Sequence, residues 1–454
     1  IVQPPPGFTA AFHIGASDVT IDGFLIDGQE VAFYGINNFD TADGRFETIT
    51  NFTIKNSIIK KATAYGVFVC NGTQQLGINR CGSSTQLGMT TGGTVSNNRF
   101  ESIDGTTSTN GDGFGFDFPG RAISMETDGI IETITNNVIV TTPAAAVADQ
   151  SQYGIQTGNH GDPGASDASA LTITISGNTV DVEDRAIWAN QHFNNGPATV
   201  ISGNIASATE ALRIQSMRAN TGLITVSNGN AFTAKNATSI NGGGDTLPGN
   251  AVVVGGSTGP IEIVGNTIMA TDGDATSGED IDGIQIDSGS IVDRIEGVTF
   301  GTIEDNAIEV LGGSNPATLS RLSGYDGSFD FTNVDGNVLE VETGNGAMAR
   351  VIENDLSGSA FGGLSRLNYN GATKDLSGNW WGTIDIAEVQ DAAGSNTDYT
   401  PYLDSGDSDA ATGFQGDFSV LNIIPDLPEQ IGPDTPREEA LALGATEIKF
   451  GTLT

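Results

Sequence analysis

An asparagine recurs eleven times along the chain at what reads as a bend between two apolar positions, and this recurrence limits the fold more than any other feature. In seven copies an apolar residue stands three before the Asn and another two after it: Val95/Asn98/Phe100, Ile134/Asn137/Ile139, Ile175/Asn178/Val180, Ile263/Asn266/Ile268, Ile303/Asn306/Ile308, Val334/Asn337/Leu339 and Leu376/Asn379/Trp381. Looser copies fall at Asn56, Asn204, Asn230 and Asn354. Successive copies are 17 to 42 residues apart, most of them more than 24. That spacing is one supersecondary unit per copy, so the chain reads as a repeat protein.

Short, β-branched, alternating runs flank the bends, as in Leu171-Thr-Ile-Thr-Ile175 before Asn178 and Val180-Asp-Val182 after it. Strands therefore enter and leave each bend. The hairpin signal Asn-Gly is mostly missing there, and Ser-Gly-Asn, Asn-Asn or Asp-Asn stands in its place. Asn tolerates the left-handed backbone region, which suits a bend between strands of different sheets. Stacked copies would lie about 4.8 Å apart, where side-chain amides can bond along a ladder.

After each bend comes a variable Gly/Asp/Ser/Thr-rich stretch and then a third apolar run. These runs are Tyr65-Gly-Val-Phe-Val69, Arg121-Ala-Ile-Ser-Met125, Tyr153-Gly-Ile-Gln-Thr157, Arg185-Ala-Ile-Trp-Ala189, Ala211-Leu-Arg-Ile214, Ala251-Val-Val-Val254 and Asp282-Gly-Ile-Gln-Ile286. Three strands per turn, each paired with its counterpart one turn on, predict an all-β chain. The expected form is a single-stranded right-handed parallel β-helix of about 11–12 coils with an Asn ladder, a rod of roughly 55 Å.

The chain resembles the pectate-lyase-like superfamily of right-handed β-helices, and within it the helix modules of very large bacterial surface proteins. Val19-Thr-Ile-Asp-Gly-Phe-Leu-Ile-Asp27 resembles their opening turn. Asn379-Trp-Trp-Gly-Thr383, Asp398-Tyr-Thr-Pro-Tyr-Leu403 and Gly413-Phe-Gln-Gly-Asp-Phe-Ser419 resemble their closing segment. The resemblance covers about residues 15 to 420. It implies a secreted or surface-displayed structural or adhesive module, with the third strands and their loops as the ligand face.

Composition shifts only near residue 404, so residues 1–403 form one elongated domain and 404–454 an acidic, Pro-rich linker or tail, with Pro425, Pro428, Pro433 and Pro436. Ala445-Thr-Glu-Ile-Lys-Phe450 could begin a further module. The only segment with helical periodicity is Pro436 to Leu443. The net charge of −38 repels phosphate backbones and anionic lipids, which argues against nucleic-acid binding and against a basic cleft for polyuronates. Such acidity suits salty or extracellular surroundings. No run of 18 apolar residues marks a membrane span, and no signal peptide is evident, so the chain reads as a mature form or a piece of a longer protein. Cys70 and Cys81 enclose a polar loop; they fit one disulfide outside the cytosol, the alternative being two free thiols.

Alternation puts Phe68, Ser124, Gln156, Trp188, Arg213, Val253 and Gln285 on the outward side of the third strands. Of these, Phe68, Gln156, Trp188, Arg213 and Gln285 are candidates for contact with a polysaccharide or cell-surface glycan, through stacking on rings and hydrogen bonds to hydroxyls. The competing reading has Trp188 packed under a loop and Arg213 paired with an acid. Asp272, Asp274, Glu279, Asp280 and Asp282 form the densest acidic loop, with Asp404, Asp407 and Asp409 a smaller one. These suit a solvated loop first and calcium second, because Gly273 and Ala275 stand where an EF-hand has ligands. His160 and His192 can stack on adjacent turns, without an evident third metal ligand. The alternative class is a polysaccharide lyase or glycoside hydrolase of this fold. The six lysines avoid the third strands, and the hydrolase pattern survives only as Asn159-His160-Gly161 and Arg213-Ile-Gln215. Copies of the same chain or neighbouring modules are the remaining candidate partners.

Overall fold

A computed structural model describes residues 1–403 except for the stretches 5–9, 72–88, 104–119, 141–151, 159–167, 217–221, 241–245, 272–280, 312–316, 324–333, 342–346 and 353–366 and some shorter breaks. Three long parallel sheets of 11, 9 and 12 strands run its length. Each turn contributes one strand to each sheet in the same order. One turn consists of β1 (Thr53–Lys55), β2 (Ile58–Lys60) and β3 (Tyr65–Asn71), in the first, second and third sheets respectively. Each strand pairs with its counterpart one turn away, as Ile54 does with Ile21 and Val95, and Val67 with Ile36 and Ile123. The chain is a parallel β-helix.

Strict register stacks like on like. Ile21, Ile54, Val95, Ile134, Ile175, Ile201 and Val226 form the inner column of the first sheet, and all are buried in the one continuous core. Ile26, Ile59, Phe100, Ile139, Val180, Ala206 and Phe232 form that of the second. Near the start of the third-sheet strands a Gly or Ala faces that second column, as Gly35, Gly66 and Gly154 do. A Cβ on Gly66 would lie 2.8 Å from Phe100 Cδ1 and 2.5 Å from the Ala122 carbonyl oxygen. A backbone oxygen cannot yield as a side chain can, so Gly66→Ala is expected to cost about 1–3 kcal/mol by overpacking. A thermal melt checks this; an unchanged melting temperature would contradict it.

The bend between the first and second strands holds an uninterrupted amide column. Asn98, Asn137, Asn178, Asn204, Asn230 and Asn266 are buried, and each Nδ2 from Asn98 to Asn230 donates to Oδ1 of the next at 2.8–3.1 Å. The same Nδ2 atoms also donate to main-chain carbonyls, of Ile54, Val95, Ile134, Ile175, Ile201 and Val226 in turn. From Asn98 to Asn204, each backbone N–H is taken by the next Oδ1. The left-handed residue is the one before the ladder position: Asn97 and Asn136 at φ 55°, Gly177 at 64° and Gly203 at 62°.

Two expectations are corrected, at Asn56 and Asn306. Asn56 is not a rung: it takes the left-handed position at φ 53°, and Ser57 occupies the column, its N–H bonded to Asn98 Oδ1. Asn306 precedes a third-sheet strand, β4 (Ile308–Val310), and its N–H donates to Asp282 Oδ1. Asn379 is buried near the C-terminal end and donates to the Leu376 carbonyl. Asn337 and Asn354 lie outside the described residues, as do the segment 436–443 and the whole of 404–454. A helix that periodicity did not flag, α1 (Ile386–Ala393), buries Val389 against the core. Asp385 caps it, its carboxylate accepting the Ala387 N–H, while Thr383 Oγ1 donates to Glu388.

Candidate binding face on the third sheet

The register Phe68–Ser124–Gln156–Trp188–Arg213–Val253–Gln285 holds along consecutive strands, so all five candidate glycan contacts share one outward column. Outward does not mean exposed. Phe68, Ser124, Gln156 and Val253 are fully buried, Trp188 retains 7% of its surface and the Arg213 side chain 17%. Over Phe68 the cover is aromatic: the Tyr34, Phe46 and Tyr65 rings lie 4.5–5.5 Å from it. Alternation predicts which side of a strand a residue takes, and it is silent about what later packs on that side.

The residue just before that Gly or Ala makes a second outward column, and sequence reasoning missed it. Tyr34, Tyr65, Arg121, Tyr153, Arg185 and Glu210 follow one another turn by turn. Tyr34 stacks on Tyr65 at 5.4 Å. The Arg121 guanidinium lies 5.3 Å from the Tyr65 ring centre and 5.7 Å from that of Tyr153. Arg185 lies 5.4 Å from Tyr153 and 4.7 Å from Trp188, which meets Tyr153 edge-on. Cation–π contact of this desolvated kind stabilises by up to ~2 kcal/mol. The signal was in the runs themselves, where Tyr-Gly and Arg-Ala alternate at the start of consecutive third strands.

Carboxylates complete the column. Arg121 Nη1 donates to Tyr65 Oη at 2.8 Å and to Glu126 Oε1 at 2.9 Å. Glu210, fully buried, accepts from Arg185 Nε and, at 2.9 Å, from Arg213 Nη1. Arg213 Nη2 also lies 3.8 Å from Asp287, across Gly255, where a Cβ would stand 2.9 Å from Nη2. Burial works against the charge of Arg121 and Arg185, yet the Tyr65 and Glu126 neighbours of the first and the Glu210 neighbour of the second hold both above the usual guanidinium value. Burial raises the Asp287 carboxyl, with Arg213 pulling it back and Glu210 pushing it further up.

Further along, Asn250, Asp282 and Asn306 continue the same outward column. Asn250 Oδ1 accepts the Asp282 N–H at 2.7 Å, and Asp282 Oδ1 accepts that of Asn306. Gln285 Nε2 donates to Glu309 at 2.8 Å. Burial first, then the nearby Glu309 and Asp305, push the Asp282 carboxyl up to about 9. Asp282 therefore sits in the strand column, buried and protonated at neutral pH. Asp272, Asp274, Glu279 and Asp280, the rest of the acidic loop, lie outside the described residues, as do His160, His192, Asp404, Asp407 and Asp409. Among the described residues, no three ligating side chains converge on a common point, and no helix is long and apolar enough to cross a membrane. Cys70 is buried, with its backbone bonded to the Asn38 side chain; Cys81 lies outside the described residues.

No protein-family model, curated protein or solved structure matches this chain.

Proposed function

We propose that the chain is a structural or adhesive β-helix module of a secreted or surface-displayed bacterial protein, of the pectate-lyase-like kind, contacting glycan along the third sheet near Trp188. The observation that carries this reading is the arginine-bound state of the acids within the Tyr–Arg stack that surrounds Trp188: Glu126 and Glu210 are each locked in buried ion pairs. A glycosidase needs one carboxylic acid and one carboxylate poised at the scissile bond, and acids tied to guanidinium groups are poor proton donors. Trp188, Arg213 and Gln285 are the members of the outward column that keep some surface, and an indole edge one strand from a guanidinium, with an amide two strands further on, suits an extended sugar chain.

The test is a panel of neutral and acidic polysaccharides incubated with the whole chain. Binding to at least one, without new reducing or ultraviolet-absorbing ends, is expected. Trp188→Phe keeps a ring against Tyr153 and Arg185 but shortens the exposed edge of the ring system, so it should weaken that binding severalfold at an unchanged melting temperature. New chain ends would favour the lyase or hydrolase reading instead, and a panel without any binder would remove the glycan from the proposal.

A further inference from the structure

The outward side of the first sheet carries an order that nothing in the core requires. Register places Thr94, Thr133, Thr174, Val200 and Thr225 in one column and Ser96, Thr135, Ser176, Ser202 and Ser227 in a second, two residues along each strand. Five consecutive turns thus present a two-by-five array in which nine of ten side chains are hydroxyls. None of these hydroxyls is engaged by a described residue, and all but Ser227 are half-exposed.

Charge is kept off this patch in a chain of net charge −38. On the same turns the second sheet's outward side bears Arg99, Glu101 and Asp181, and the third sheet's bears Arg121, Arg185 and Glu210. Charges return to the first sheet only beyond the array, and there they pair off: Lys55 with Asp22 at one end, Arg294 with Glu262 and Glu296 at the other. The one described acid at the margin, Glu132, is engaged by the Gly92 N–H. An occupant of this face is therefore uncharged and periodic in two directions.

Stacked parallel strands repeat about every 4.8 Å along the rod, and outward residues repeat about every 6.6 Å along a strand. Water hydrogen-bonded tetrahedrally at about 2.75 Å places second neighbours roughly 4.5 Å apart and repeats roughly every 7.3 Å along its hexagonal axis. The two lattices agree within about a tenth in both directions. Threonine adds methyl groups between the hydroxyls, so water over the face is anchored at the oxygens and caged over the carbons. A charged side chain would instead hold a hydration shell of its own.

We propose that the first-sheet face from Thr94 to Ser227 binds the surface of crystalline water. The proposal uses a different face from the glycan reading, so neither falls with the other. Ice grown slowly on a chilled probe from a dilute solution of the whole chain should take the protein up, whereas an ordinary acidic protein is swept ahead of the front. Thr133→Tyr with Thr174→Tyr breaks the flat array while keeping residues that suit strands, and should return uptake to that of the ordinary protein. Thr179→Tyr, exposed on the second sheet, should leave uptake unchanged. Exclusion of the unaltered chain from ice overturns the proposal, as does full uptake of the double variant with an unchanged circular dichroism spectrum. Because the unaltered chain is read directly, a double variant that fails to fold still leaves the proposal refutable.

Discussion

Asn178→Ala is expected to destabilise the rod by on the order of 3 kcal/mol, among the largest effects of any single substitution on this chain. The cost follows from what the amide does. Its Oδ1 accepts both the backbone N–H and the Nδ2 of Asn137, and its Nδ2 donates to the Ile134 carbonyl and to Asn204 Oδ1. Alanine leaves the Asn137 N–H buried without an acceptor and takes one donor each from two buried oxygens. Unmet buried groups of this kind cost about 1–3 kcal/mol each, whereas a made hydrogen bond contributes less. Asn56→Ala is the internal control. Asn56 is exposed and left-handed with its amide on Asp22, so the same chemical change there should cost about 1 kcal/mol. Urea denaturation of both variants reads the difference, and amide exchange at Asn137 reads the local opening. A loss at Asn178 no larger than at Asn56 would mean that the column is ornament.

The sequence made this ladder visible because its chemistry is self-selecting. Only a side chain with two donors and a two-fold acceptor can bond above, below and to the main chain at once, so Asn recurs wherever the bend stacks on its own kind. The same logic explains where reading failed. At residue 56 the Asn belongs to the backbone bend and a serine takes the column. At residue 306 the flanking apolar residues have the spacing of a rung, but the second-sheet strand of that turn, Thr299–Ile303, has already passed. Pairing of Thr267 with Thr299 puts Val298 in the ladder position of that turn, and the amide run ends. Local spacing cannot distinguish a bend between the first and second strands from one between the second and third.

The third-sheet face was half legible. Its outward column follows from alternation alone, and the register of Phe68 through Gln285 is kept by strand-on-strand pairing although the strands run from three to eight residues. What covers that column depends on residues a turn or more away, such as Tyr34 and Phe46 over Phe68. The arginines were legible as letters and illegible as partners. Arg185 and Arg213 converge on Glu210 because strands 25 residues apart lie side by side, a proximity that no local pattern carries. Replacing a buried ion pair can be neutral, while removing one member leaves an uncompensated charge. The Tyr–Arg stack therefore fixes the geometry around Trp188, whatever that residue touches outside the protein.

Asp282→Asn should stabilise the chain, against the usual direction of a substitution in a buried column. Asp282 is 1% exposed, between Asn250 and Asn306, and its carboxyl is held up to about 9 by burial and by Glu309 and Asp305. An unfolded Asp ionises near 3.9. The folded chain therefore keeps a proton that the unfolded chain releases. The contribution of Asp282 to stability is greatest below about pH 4, falls as pH rises towards 9 and levels off above it. At pH 7 the loss is on the order of 3–4 kcal/mol. Asparagine carries no proton to lose. Its Oδ1 can still accept the Asn306 N–H, and its Nδ2 can donate to the Glu309 carboxylate in place of the shared acid proton, so the column becomes amide on amide on amide. Urea midpoints from pH 4 to 9.5 should then converge for the two proteins at the acid end and diverge steadily towards the alkaline end, with the variant higher. Parallel curves, or a variant less stable at pH 9, would show that Asp282 is ionised in the fold and that its negative charge is met by a donor.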